Sequence, residues 1–187
     1  MSDVGRIAVS LAGAMRHLAN GEMAALRRLD PEAATPAYWR LAARHEELDR
    51  DCDRWASVVQ ALAILTPKGP SGERPELHDR RRPFGFALCD GGDPGWPGTG
   101  AARPCLSERR LAQLLAARGE QRRTLLIRAV RAVATRRDLG LGLDVADLAW
   151  AFLNPANAGA IAGPYYRRLD PAQRRADEAT QPEAEDA

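Results

Sequence analysis

The sequence predicts an all-α protein, and three observations carry that prediction. Apolar residues recur at steps of three and four, strand-like alternation is lacking, and capping residues precede several of the apolar stripes. Of the 187 residues, 45% are hydrophobic and 28% are charged, a balance typical of a globular protein. A chain of this length can bury a sizeable core. The sequence therefore indicates helices packed around a buried interior.

The N-terminal half is predicted to hold several helices. The first covers Val4–Ala19, and a short second one covers Glu22–Leu29 with Asn20 as its N-cap. Thr35-Pro36 places a capping hydroxyl before a proline at the first helical position, which favours a new helix start. Cys52–Leu65 then forms a helix whose predicted core face consists of Trp55, Val58, Val59, Leu62 and Leu65.

The C-terminal half begins with a stretch rich in glycine and proline, Asp90–Pro104, which predicts an irregular loop. Four helices are expected after it: one opened by Ser107 and ended at Gly119, then Glu120–Arg137, Val145–Leu153 capped by Asp144, and Ala158–Leu169. The acidic tail is predicted to be disordered. The expected organisation is a helical bundle over 1–89, a loop over 90–106, a second bundle over 107–169 and a tail over 170–187.

Charge is distributed unevenly along the chain. Of 27 basic residues 26 are arginine, and the net charge is only +2. The segment 103–137 holds ten arginines and two acids, a local charge of +8, whereas 170–187 holds two arginines and six acids, a local charge of −4. A GC-rich genome accounts for arginine in place of lysine, but it does not account for this clustering.

Several function classes find no support in the sequence. The histidines (His17, His45 and His78) have no neighbouring acid or nucleophile in a recognisable motif, so no enzyme class is indicated. The three cysteines lack metal-ligand spacing, and their odd number fits reduced thiols in a cytoplasm. We expect no metal, no cofactor and no signal peptide, and no apolar run approaches the ~20 residues of a membrane span.

Arginine placement is what remains to indicate a function. Arg109, Arg110, Arg122, Arg123, Arg128, Arg131, Arg136 and Arg137 all fall in two adjacent predicted helices. In the second helix the apolar Leu126, Ala129, Val130 and Val133 are predicted on one side, and Thr124, Arg128, Arg131 and Thr135 on another. If these helices form a hairpin, their outward faces make one basic surface. Guanidinium groups bind phosphates bidentately, so such a surface can hold nucleic-acid backbone without reading bases. The alternative is an ordinary solvated helix face, and the scarcity of acids favours the binding surface.

Six segments follow one another in a recognisable order and spacing: Met23–Arg28, Ala37–Leu41, Phe84–Leu88, Ser107–Leu111, Ile127–Val133 and Gly140–Phe152. In that order and spacing they resemble the small subunit (CasB family) of the type I-E CRISPR surveillance complex Cascade. The resemblance spans about residues 18–152 and implies two packed helical bundles without catalytic activity. It further implies a pair of copies within Cascade, where basic surfaces contact the guide RNA assembly and the displaced DNA strand during antiviral defence.

The matching positions imply contact roles for Arg27, Arg28, Arg109, Arg110, Arg128 and Arg131. Charge density alone adds Arg122, Arg123, Arg136 and Arg137 to the predicted nucleic-acid contacts. Two departures from the family stand out: 154–164 lacks the expected basic residues and tryptophan, and the 90–104 loop is longer than expected. The alternatives left open are a helical protein-interaction adaptor and a helix-turn-helix DNA-binding regulator.

Overall fold

The computed structural model describes residues 3–30, 33–97, 102–137 and 141–180. Within those ranges it contains ten helices and no named strand, which confirms the all-α prediction. In chain order they are α1 (Asp3–Met15), α2 (Asn20–Arg27), α3 (Pro36–Ala42), α4 (Glu46–Arg50), α5 (Cys52–Leu65), α6 (Phe84–Asp90), α7 (Glu108–Ala116), α8 (Gly119–Arg136), α9 (Val145–Leu153) and α10 (Gly159–Thr180).

Helix α5 lies at the centre of the molecule, in contact with α1, α2, α4, α8 and α9. Its predicted core face is confirmed, since all five of those side chains are buried. α1 packs on α9 and α6 packs on α10, so elements from both halves of the chain share one apolar core. The division into two separate bundles stays a prediction.

Local capping explains several of the observed helix starts. The Thr35 hydroxyl accepts a hydrogen bond from the Tyr38 backbone N–H at 3.4 Å, at the predicted start of α3. The Asp144 carboxylate accepts from the N–H groups of Ala146 and Asp147 at 2.9 and 3.3 Å, as predicted for α9. The expected cap of α2 is wrong: α2 begins at Asn20, and the Glu22 carboxylate accepts from the Ala19 N–H at 3.0 Å.

The last helix is longer than the sequence predicts. α10 runs to Thr180, past the expected end at Leu169, and residues 170–180 are helical where the sequence predicts disorder. Leu169 belongs to the apolar core and Ala172 is also buried, so the start of this extension packs against the protein. The remaining predicted tail, 181–187, lies outside the described residues.

Close packing of α6 on α10 requires a glycine. A Cβ at Gly85 would lie 2.9 Å from the Tyr165 backbone nitrogen and 3.0 Å from the Pro164 Cβ. The two backbones can therefore approach only where a side chain is missing. This contact anchors α10 beside the segment that leads into the 90–104 loop, of which residues 98–101 lie outside the described ranges.

Candidate nucleic-acid interface

Helices α7 and α8 pack against each other as the expected hairpin, joined by Ala117 and Arg118. Leu111 and Leu114 of α7 are buried, and α8 buries the predicted stripe of Leu126, Ala129, Val130 and Val133. The predicted outward stripe of α8 is also confirmed: Thr124, Arg128, Arg131 and Thr135 are all exposed. A 3.6-residue period places these two sets on opposite sides of the helix.

Six of the eight arginines predicted on these two helices are exposed or half-buried, and together we name them the arginine face: Arg109, Arg110, Arg123, Arg128, Arg131 and Arg136. Arg123 of this face forms an ion pair with Glu120, in which Nη2 lies 3.9 Å from Oε1. The one other acid of the two helices is Glu108. Exposed guanidinium groups that lack carboxylate partners remain available for phosphate oxygens.

Arg122 does not lie on the outward face, contrary to the sequence-based expectation. Only 3% of the residue is exposed, and its guanidinium donates to the carbonyl oxygens of Leu114 at 3.2 Å and Ala151 at 3.4 Å. These carbonyls belong to the last turns of α7 and α9, where backbone acceptors lack partners within their own helices. Burial lowers the pKa of Arg122, with the positive charge of Arg118 as a second cause.

Arg137 is likewise buried rather than outward. The residue is 9% exposed, and Nη1 and Nη2 have no hydrogen-bond partner within the described part of the chain. Burial, reinforced by the nearby charge of Arg82, lowers the pKa of Arg137 to about 10. The group therefore stays protonated at neutral pH, as a buried positive charge to which no described residue offers a hydrogen-bond acceptor.

The other two predicted contact residues lie on α2 and at its end. Arg28 is exposed. Arg27 is half-buried, and its guanidinium donates to the carbonyl oxygens of Ala63 and Thr66, each at 3.0 Å, which caps the C-terminal end of α5. The structure brings Arg27, Arg131 and Arg137 together along one groove between α5 and α8, although they are distant in sequence.

Structural roles for arginine recur elsewhere, and the sequence analysis missed them. Arg74 is almost fully buried and donates to the carbonyl oxygens of Met15 at 2.8 Å and Leu18 at 2.7 Å, at the end of α1. Arg118 donates to three carbonyl oxygens at the end of α7. One feature of the sequence could have indicated which arginines are buried. Arg122 and Arg137 continue the apolar stripe of α8 at steps of three and four.

The 90–104 loop begins at a buried carboxylate. Asp90 is paired with Arg82 and with Arg168 of α10, each at 3.0 Å. Arg168 also donates to the carbonyl oxygens of Pro94 and Trp96, and its guanidinium carbon lies 5.9 Å from the Trp96 ring centre. In the structure Trp96 contacts Arg168, and its indole N–H donates to the Arg103 carbonyl oxygen.

We also searched the described ranges for metal-binding clusters, reactive cysteines and membrane-spanning helices. Within those ranges, no group of three or more His, Cys, Asp or Glu side chains is placed to hold a metal ion. Cys89 and Cys105 are buried, and Cys52 is half-buried. Burial raises the pKa of the Cys89 thiol to about 12. None of the described helices is long and apolar enough to cross a membrane.

The described ranges are helical, and one hairpin presents the arginine face to solvent. The family model for CRISPR-associated protein Cse2 matches residues 22–166. The chain therefore belongs to the Cse2 family, the small subunit of the type I-E CRISPR complex Cascade, as its sequence segments predicted. Comparisons with curated proteins and with solved structures give no match.

Proposed function

We propose that this protein is a non-catalytic small subunit of type I-E Cascade that holds nucleic-acid backbone and stabilises the separated guide RNA and target DNA strands. The observation that carries the proposal is the arginine face, whose side chains are open on two packed helices with few acids beside them. Membership of the Cse2 family supplies the complex in which such a surface would act. The partners are other Cascade subunits, guide RNA, target DNA and a second copy of this chain, within the cytoplasm.

Solvent exposure is the criterion by which we choose the nucleic-acid contacts of this proposal from the predicted arginines. Arg28 and the arginine face are retained because their side chains reach solvent. Arg122 is left out because its guanidinium is buried against two helix ends. Arg137 is left out of direct surface contact because its terminal nitrogens are enclosed. Each phosphate neutralised by the remaining side chains should release counterions. The slope of the logarithm of the binding constant against the logarithm of salt concentration should therefore be about −0.7 per phosphate for a single strand.

The test is a double charge reversal on the exposed stripe of α8. Arg128→Glu with Arg131→Glu should weaken target binding by the assembled complex, and the loss should grow smaller as salt concentration rises. The matched control is Arg174→Glu with Arg175→Glu, which reverses two exposed arginines on α10. Thermal unfolding of both double variants should match the parent chain, since neither pair packs in the core.

Unchanged target binding by the Arg128/Arg131 double variant across several salt concentrations would contradict the assignment of the interface. A double variant that joins the complex more weakly than the parent chain, yet whose assembled complex binds target equally well, would support the adaptor alternative instead. A lone dimer that binds a palindromic DNA site would support the regulator alternative.

A further inference from the structure

A groove of about 630 Å³ lies between the C-terminal end of α5 and the C-terminal half of α8. One wall is apolar and includes Ile64, Pro67 and Ala134. The described lining residues also include four cations (Arg27, Lys68, Arg131 and Arg137) and no acid. The groove thus combines an apolar wall with positive charge that no lining carboxylate balances.

The cations differ in how they are held. Lys68 and Arg131 are exposed, and no hydrogen bond or ion pair to the described residues occupies either side chain. Arg27 is fixed by its bonds to the end of α5, with its charge beside the groove. Arg137 is enclosed and has no hydrogen-bond partner for its terminal nitrogens within the described ranges. Two cations are therefore free to contact an anion, and two contribute a fixed positive field.

The dimensions and the chemistry of the lining favour a single nucleotide as the occupant. A duplex, whose major groove alone is about 12 Å wide, cannot enter a concavity of this size, whereas a single extruded nucleotide can. A nucleobase presents a flat, weakly polar face to an apolar wall, and its phosphates carry the charge that the cations attract. An acidic peptide also matches the cations, and crosslinking distinguishes it from a nucleotide.

Resting on the proposed function, we propose that this groove binds one unpaired nucleotide of a single strand. Its base would lie against Ile64, Pro67 and Ala134, and its phosphates would contact Lys68 and Arg131. Lys68, the only lysine of the chain, then becomes a contact residue that arginine clustering on α7 and α8 does not indicate. The groove would give an otherwise backbone-binding surface a place that distinguishes separated strands from a duplex.

The test uses the assembled complex with a target duplex and guide RNA that carry the zero-length photocrosslinkers 4-thiothymidine and 4-thiouridine at successive positions. We expect crosslinks from unpaired positions to residues 64–68 and 131–137. Ala134→Leu narrows the groove without changing its charge, so it should reduce these crosslinks about fivefold or more. Ala43→Leu, at an exposed position outside the groove, is the matched control and should leave them unchanged.

A second measurement examines charge separately from shape. Lys68→Ala should lower the salt slope of target binding by about 0.7, the effect of one lost single-strand phosphate contact, and Arg44→Ala should not. Crosslinks to α7 alone, or groove crosslinks that Ala134→Leu does not reduce, would overturn the groove proposal while leaving the arginine face intact. Crosslinks to a partner subunit's acidic segment would also overturn it. The proposed function itself would be contradicted by a different result, unchanged target binding in the Arg128→Glu, Arg131→Glu double variant.

Discussion

Arg168 Nε lies 3.0 Å from Asp90 Oδ2, which ties the last long helix to the end of α6 across 78 residues of sequence. Arg82 Nη2 reaches the other carboxylate oxygen of Asp90 at 3.0 Å, and the Asp90 side chain is fully buried between them. One carboxylate therefore compensates two guanidinium groups. The same pair fixes the start of the glycine- and proline-rich loop, because Arg168 also donates to the carbonyl oxygens of Pro94 and Trp96.

Asp90→Ala should lower the free energy of unfolding by about 3–5 kcal/mol, because it leaves the charges of Arg82 and Arg168 without their shared partner. Chemical denaturation followed by circular dichroism measures this change. Asp177→Ala, an exposed position on α10, should stay within about 0.5 kcal/mol of the parent chain. Equal stability of the two variants would show that the Asp90 cluster contributes little to the fold.

Arg122 and Arg128 lie on the same helix, but replacement by alanine should affect stability at Arg122 and target binding at Arg128. Arg122→Ala should destabilise the fold by about 2–4 kcal/mol, because it removes buried volume and leaves the carbonyl oxygens of Leu114 and Ala151 unpaired. Arg128→Ala should change stability by less than about 0.5 kcal/mol yet weaken target binding. Unfolding curves and target-binding titrations on both variants measure the contrast. A loss of stability in Arg128→Ala that matched the loss in Arg122→Ala would contradict the assigned burial.

Arg137→Met should raise the free energy of unfolding by about 1 kcal/mol, because it replaces a buried charge without a described hydrogen-bond partner by an apolar side chain of similar length. The folded pKa is lowered to about 10, so the cost of burying the charge is fully present below that pH and declines as pH rises through it. The increase in unfolding free energy of Arg137→Met should therefore be constant from about pH 6 to 9. Denaturant unfolding at several pH values measures it, and a destabilised variant would contradict the prediction.

Glu22→Gln should remove a stabilisation that depends on pH. The Ala19 backbone N–H lowers the pKa of the Glu22 carboxyl, and the Arg40 side chain lowers it further. An acid with a lowered folded pKa stabilises the fold above its unfolded pKa and loses that contribution as pH falls through the folded value. We expect Glu22→Gln to lower the free energy of unfolding by about 0.5 kcal/mol at neutral pH. In strong acid the variant and the parent chain should be equally stable, and thermal melts across pH measure both values. A difference that persists in strong acid would point to a cause other than the charge.

The local features of the fold could be predicted to a large extent. α5 and α9 have the predicted bounds, and the outward stripe of α8 is exposed as expected. These features depend on residues close in sequence, on caps and on the 3.6-residue period. The extension of α10 begins where Leu169 enters the core and Ala172 is buried, which residues close in sequence could not indicate. Trp150 of α9 is apolar yet 39% exposed, because which side of a helix meets the core depends on its tertiary neighbours.

The candidate interface divides in the same way. The sequence by itself determined that this is a helical chain with ten arginines and two acids over 103–137, and which segments resemble the Cse2 family. Only the tertiary structure decided which arginines face solvent. Arg27, Arg74 and Arg122 are directed to helix ends whose carbonyl oxygens need donors, and those ends belong to helices distant in sequence. A guanidinium can bind a phosphate or cap a helix with the same N–H groups, so its role depends on which acceptor folding brings within reach.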